Sequence, residues 1–174
     1  MKILLLSDIH LVSTGCPEQQ GQILHAFFAD VDNQLNHTDY NSNFCIISGD
    51  LVNDGARSSY AFFNREVIIK LLKFMPLENI LIVAGNHDLY RDAIDLEETN
   101  KIIEAYSEEE SFNNLCEDSK ANILTSKFKN LSSFVAENLN IPQFDIYGYS
   151  ANLSPRISVF FLNSAICSFG GINN

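Results

Sequence analysis

Long apolar runs, paired cysteines and basic residues are all scarce in this sequence. No apolar run approaches the length of about 20 residues that a membrane-spanning helix requires, and the N-terminal segment has no signal-peptide core. The four cysteines lie far apart without a CxxC pair, which indicates neither a zinc knuckle nor a disulfide framework. These absences predict a soluble, cytoplasmic protein that has no membrane partner.

Basic residues are half as numerous as acidic ones. The chain has 11 Lys and Arg against 22 Asp and Glu, which gives a formal net charge of −11. Such an acidic surface repels a polyphosphate backbone, so a long nucleic acid is a less favoured partner. The acid is concentrated between Asp92 and Asp118, where ten carboxylates accompany one basic residue, Lys101. The simplest interpretation of this segment is a solvated loop and helix face.

The apolar content is sufficient for a core, and its pattern alternates between strands and helices. A chain of 174 residues with 46% hydrophobic residues suits one domain, or part of one. Short continuous apolar runs at 2–7, 44–48 and 80–84 are typical of strands buried on both faces of a parallel sheet. Two helical patterns separate these runs. The order therefore predicts a β-α-β-α-β unit.

The helical patterns are recognised by apolar residues spaced three and four positions apart. The first consists of Leu24, Phe27, Phe28, Val31 and Leu35, and the second of Tyr60, Phe63, Val67, Leu71 and Phe74, before Pro76. A third consists of Leu124, Phe128, Leu131 and Val135, before Pro142. Two further strands are predicted at 144–150 and 157–164.

Each of the first three predicted strands ends in a polar cluster. The letters DIH (8–10) follow the first strand, GD (49–50) the second and GNHD (85–88) the third. Each cluster taken singly is more often a turn or a cap. In an open parallel sheet, however, ligands bind beyond the carboxyl ends of strands that lie about 4.8 Å apart. We therefore expect the three clusters to converge on one site.

The clusters DIH, GD and GNHD, in this order and strand context, resemble the first three signature blocks of the calcineurin-like metallophosphoesterases. The family pattern is D-x-H, G-D and G-N-H-[DE], then a lone His and G-H-x-H. The resemblance implies an α/β fold, a four-layer αββα sandwich, with two divalent metal ions. It implies that Asp8 and His10 bind the first metal, that Asp50 bridges both metals and that Asn86 binds the second.

These residue types suit the chemistry that the resemblance implies. A bridging carboxylate screens two cations about 3.5–4 Å apart, and imidazole together with carboxylate suits Mn, Fe or Zn. A hydroxide held between the metals would attack the phosphorus of a phosphoester. By resemblance, His87 lies outside the metal shell and stabilises the transition state or protonates the leaving alkoxide. The alternative is that His87 lies near the metals without taking part in catalysis.

The sequence GDLVNDG (49–55) raises a second question about this histidine. In relatives, an acidic residue shortly after the Gly-Asp block can accept a hydrogen bond from the catalytic histidine and orient it. Asn53 and Asp54 compete for that role in this chain. The simpler interpretation is that Asn-Asp-Gly forms a turn.

The chain departs from the family after residue 87. Its other histidines are His10, His25 and His37, so neither the lone His nor G-H-x-H is present, and three metal ligands of the family pattern are missing. We expect His25 and His37 to be solvated or structural. We also expect residues 1–174 to form the N-terminal portion of a single, incomplete metallophosphoesterase domain. A polar insert at about 90–141 is the candidate for substrate selection.

Three functional interpretations follow from this departure. The chain belongs to a phosphatase or phosphodiesterase, or it is a degenerate family member kept for binding, or it is a non-catalytic doubly wound scaffold. The intact set of five site residues favours the enzyme. Because metal ligands are missing, we expect the chain alone to be inactive or weakly active and to bind metal loosely. Self-association through the apolar run 157–162 is expected as well.

Overall fold

Three short strands form the parallel sheet on which the candidate site stands. The computed structural model describes residues 1–13, 17–91, 97, 101, 104 and 125–168. Its sheet has the order β1-β2-β3, with β1 at Lys2–Leu6, β2 at Asn43–Ile47 and β3 at Ile80–Ile82. The pairing is parallel throughout, with Leu6 opposite Ile47 and Ile47 opposite Ile82. The predicted parallel sheet is confirmed, but the prediction that the run 2–7 is buried on both faces is wrong, since Ile3 and Leu5 of β1 are exposed.

Helices connect these strands in the predicted order. Helix α1 (Pro17–Leu35) lies between β1 and β2, and a 3₁₀ turn at Tyr40–Ser42 leads into β2. After β2, helix α2 (Arg57–Phe63) passes through a π-helical stretch (Asn64–Ile68) into α3 (Ile69–Leu71). The chain then enters β3 through a 3₁₀ turn at Leu77–Asn79, directly after Pro76. The β-α-β-α-β unit is thereby confirmed.

A helix and a hairpin make up the remaining described segment. Helix α4 spans Lys129–Asn138, and β4 (Gly148–Ser154) pairs antiparallel with β5 (Ile157–Leu162). The strand predicted at 144–150 is wrong in its first four residues. There the Asp145 carboxylate accepts a hydrogen bond from the backbone N–H of Tyr147 at 2.8 Å, which forms a local turn instead of a strand. Most of the predicted insert and Leu124 lie outside the described residues.

The core is deepest around β3 and the helices that face it. The β3 residues Ile80, Leu81 and Ile82 are buried, whereas Leu5 of β1 is 67% exposed. Helix α4 packs on α2, and at this contact the ring of Phe134 stacks on that of Tyr60 at a centroid distance of 5.3 Å. In the described part of the chain, no helix is long and apolar enough to cross a membrane.

Tyr149 connects the hairpin to the parallel sheet. Its hydroxyl donates a hydrogen bond to the carbonyl oxygen of Ile82 at 2.6 Å and accepts one from the Ile82 N–H at 3.1 Å. Its ring stacks on Phe161 of β5 at 4.7 Å. Burial raises the pKa of Tyr149, so the hydroxyl keeps its proton and remains a donor. One side chain therefore satisfies both backbone groups of a buried strand residue.

We expect Tyr149→Phe to lower the free energy of unfolding by about 1–3 kcal/mol, because both backbone groups of Ile82 lose a buried partner. Urea unfolding followed by far-UV circular dichroism measures this change. Tyr40→Phe is the matched control, since the Tyr40 hydroxyl donates to Leu72 at 3.2 Å in an exposed position. A loss equally small in both variants would contradict the role given to Tyr149.

Candidate metal centre

The loops after β1 and β2 run side by side beyond the ends of their strands. The backbone N–H of Asp8 donates to the Gly49 carbonyl at 3.2 Å, and that of His10 donates to the Asp50 carbonyl at 2.9 Å. The ladder between the two strands thus continues into the loops. It places the first polar cluster directly beside the second.

Two glycines let the loops after β2 and β3 approach each other. Gly49 has φ 105°, and a Cβ atom there would lie 2.9 Å from Gly85 Cα. A Cβ atom on Gly85 would lie 2.2 Å from Asp50 Oδ1. The Asp50 carboxylate occupies that space and accepts a hydrogen bond from the His87 N–H at 2.8 Å. Glycine is needed at both positions because the two loops are in contact.

Three of the predicted site residues have a left-handed backbone. Asp8, His10 and Asp50 have φ values of 55°, 48° and 52°. Residues other than glycine adopt this region rarely, and each instance costs on the order of 1–3 kcal/mol. Conformations of this kind concentrate at functional sites, where the surrounding structure maintains them.

Two imidazoles and one carboxylate converge where the three loops meet. His10, Asp50 and His87 each offer a ligand atom, and these atoms lie within 4.8 Å of one another. His10 Nε2 is 3.6 Å from Asp50 Oδ2, and the rings of His10 and His87 meet edge to face at 4.5 Å. Imidazole nitrogen together with carboxylate oxygen suits Mn, Fe or Zn. The donor set therefore fits a divalent metal ion.

The other predicted site residues lie around this cluster. The Asp8 side chain is 67% exposed, and its Oδ1 is 3.8 Å from His10 Nε2. Asn86 lies in the turn between Gly85 and His87 and is half-buried. His87 itself is one of the three clustered side chains, although the resemblance places it outside the metal shell. The geometry allows either role for His87.

The remaining candidate residues lie outside the cluster of His10, Asp50 and His87. His25 lies on α1 and His37 just after it, and both are exposed. Asp54 accepts a hydrogen bond from the Ala56 N–H at 3.0 Å, which confirms the turn interpretation of Asn-Asp-Gly. The contact with His87 comes instead from Asn53, whose backbone carbonyl oxygen is 3.3 Å from His87 Nδ1.

The sequence alone gave no role to Asp88, the last residue of the third polar cluster. Its side chain is fully buried. Burial raises the pKa of Asp88 to about 7, while hydrogen bonds from the backbone N–H groups of Gly85, Val52 and Leu51 act in the opposite direction. The sequence did contain an indication of this role. Asp88 ends the block that follows the apolar run 80–84, and a carboxylate buried there requires several hydrogen-bond donors.

Comparison with known proteins agrees with this geometry. Residues 1–154 match the family model described as Calcineurin-like phosphoesterase, and this range includes all three loops. The match also supports the predicted αββα sandwich. No curated protein matches the chain.

We expect Gly85→Ala to weaken metal binding at least tenfold, because the new methyl group would collide with the Asp50 carboxylate and backbone N. Isothermal titration with Mn²⁺ measures the affinity. Gly21→Ala is the matched control. Gly21 lies on α1 with nothing within 4 Å of an added Cβ, so this change should leave Mn²⁺ affinity unaltered and stabilise the helix by about 0.5–1 kcal/mol. Equal Mn²⁺ affinity in both variants would show that the contact between the loops does not shape the site.

Proposed function

Since the chain belongs to the calcineurin-like phosphoesterase family, we propose that its three loops form part of a site for metal-dependent hydrolysis of a phosphoester. Two divalent ions would supply a hydroxide nucleophile and stabilise the charge that develops on the phosphoryl oxygens. The observation that carries the proposal is the convergence of His10, Asp50 and His87 at the ends of successive parallel strands.

The proposed metal ligands are Asp8, His10, Asp50 and Asn86. Asp50 is the proposed bridge, and its two oxygens face different partners: Oδ2 faces His10, and Oδ1 accepts the His87 N–H. That hydrogen bond fixes the carboxylate plane before any ion binds. Asn86 would supply a neutral oxygen, which leaves the second ion a stronger Lewis acid.

His87 is the proposed catalytic residue. Its Nδ1 faces the Asn53 carbonyl, so Nε2 is the ring atom left for the leaving oxygen, to which it can give a proton when the ring is doubly protonated. An imidazole nitrogen can both accept and donate a proton, which suits a general acid.

The proposal extends to partners and surroundings. The substrate is a phosphoester, and the net charge of −11 disfavours a long nucleic acid. We propose Mn, Fe or Zn as the metal, the cytoplasm as the location, and one metallophosphoesterase domain of which residues 1–174 are a part.

In the complete metallophosphoesterase domain, we expect Asp50→Asn to reduce Mn²⁺ occupancy and hydrolysis together, because two close cations require a shared anion. His87→Asn should instead retain Mn²⁺ while slowing turnover by about 10²–10⁴, the usual contribution of a general acid. Mass spectrometry of bound metal and hydrolysis of p-nitrophenyl phosphate and its diester are the measurements.

The matched controls for this pair are Asp30→Asn and His25→Asn, which remove the same groups from exposed positions on α1. Both controls should behave as the unaltered chain does. Loss of Mn²⁺ in His87→Asn would identify His87 as a metal ligand. An unaltered chain that binds no Mn²⁺ would contradict the proposed function, whereas absent hydrolysis by the 174-residue chain alone would not.

We expect the 174-residue chain alone to be inactive or to hydrolyse the esters slowly, with partial Mn²⁺ occupancy and self-association. The four proposed ligands give each metal at most two or three protein donors. Phe160 and Leu162 of β5 are 77% and 76% exposed, which leaves an apolar surface for a second copy to cover. Sedimentation velocity over a range of concentrations measures association.

A Phe160→Ser/Leu162→Ser double variant should associate less, whereas Ile69→Ser, at a single exposed apolar position on α3, should not. Both variants should keep the Mn²⁺ affinity of the parent chain. A monomer with full Mn²⁺ occupancy and rapid turnover would refute this expectation.

A further inference from the structure

The Asp88 carboxylate joins the loop after β2 to the loop after β3. Its Oδ1 accepts hydrogen bonds from the backbone N–H groups of Leu51 at 3.1 Å and Val52 at 3.3 Å. Its Oδ2 accepts from the Gly85 N–H at 2.8 Å. The Tyr60 hydroxyl donates to the Asp88 carbonyl at 3.0 Å and lies 3.3 Å from Oδ1. The carboxylate is thus surrounded by donors from both loops and from helix α2.

The segment held by Asp88 leads directly to the group that contacts His87. Asn53 follows Val52, its N–H donates to the Leu11 carbonyl at 3.1 Å, and its own carbonyl oxygen is 3.3 Å from His87 Nδ1. Because a carbonyl oxygen can only accept, this contact requires a hydrogen on Nδ1. The Asn53 carbonyl therefore selects the ring orientation and the tautomer of His87.

We propose that Asp88 is a positioning residue, which holds residues 51–53 so that the Asn53 backbone carbonyl orients His87. The significance of that orientation for hydrolysis rests on the proposed function. The positioning itself is a property of the two loops and exists without a substrate.

The group that accepts from His87 Nδ1 belongs to the backbone, so it does not depend on which side chain residue 53 carries. The Asp54 carboxylate is engaged by the Ala56 N–H and not by the imidazole. Replacing the side chain of Asn53 or Asp54 therefore leaves the acceptor of His87 in place. Replacing Asp88 disturbs it, although Asp88 makes no contact of its own with the ring among the described hydrogen bonds.

Tyr60 of helix α2 adds a side-chain donor next to the Asp88 carboxylate. Its side chain is buried, and burial followed by the neighbouring Asp88 raises its pKa well above the usual range, so the hydroxyl remains a donor. Its ring is held by the stack on Phe134 of α4. Removal of this hydroxyl should loosen Asp88 without removing the carboxylate.

The test is the tautomer of His87, read from the ¹⁵N chemical shifts of its ring in EDTA-treated protein. His87→Asn identifies the signal among the four histidines. We expect a predominant Nδ1–H form in the unaltered chain, in Asn53→Ala and in Asp54→Asn. Asp88→Asn places an amide N–H₂ against one of the backbone N–H donors, so it should give a mixture of tautomers. Tyr60→Phe should give a smaller shift in the same direction and covers the case in which Asp88→Asn fails to fold.

Kinetics separate this inference from the proposed function. In Asp88→Asn we expect kcat to fall by about 10–100-fold, as is usual when a group that orients a functional side chain is lost, with KM and Mn²⁺ affinity retained. An unchanged tautomer in both Asp88→Asn and Tyr60→Phe, or an altered one in Asp54→Asn, would overturn the positioning role. If the tautomer changes as expected while the unaltered chain binds no Mn²⁺, the positioning role stands and the proposed function fails.

Discussion

The site depends on two loops that lie closer together than side chains normally allow. Gly49 and Gly85 face each other where any Cβ atom would meet backbone or the Asp50 carboxylate. Because neither glycine fills that space, the carboxylate can lie beneath the N–H of His87. The same approach brings the Asn53 carbonyl to the imidazole. Most of the geometry of the candidate site follows from this one contact.

The two interacting loops each carry an aspartate: Asp50 lies in the loop after β2 and Asp88 in the loop after β3. The two carboxylates have different environments and hence different roles. Asp50 keeps one oxygen turned toward His10, where a cation can bind. Asp88 has both oxygens turned toward backbone donors and is fully buried. The first carboxylate is available for chemistry, and the second serves the architecture. Their proximity also means that a change at either one alters the electrostatic surroundings of the other.

The parallel sheet was predictable because continuous apolar runs between helical patterns have few other solutions, and the convergence of three polar clusters follows from that sheet. The left-handed backbone of Asp8, His10 and Asp50 was not predictable, since these residue types also occur in ordinary turns. The start of β4 was missed because one hydrogen bond from the Asp145 side chain outweighs the β-propensity of its apolar neighbours. The role of Asp88 depends on its depth of burial, which a motif does not encode.

The candidate ligands are distributed unequally between the strands. Asp50, Asn86 and His87 follow strands that are buried, whereas Asp8 and His10 follow β1, in which Ile3 and Leu5 are exposed. Such a strand opens locally at a lower free energy than its neighbours and exchanges its amide hydrogens sooner. An ion bound by both His10 and Asp50 would therefore link the most exposed strand of the sheet to a buried one. By mass action, binding of that ion would favour the closed form of β1, so the metal concentration would set part of the local stability of the sheet.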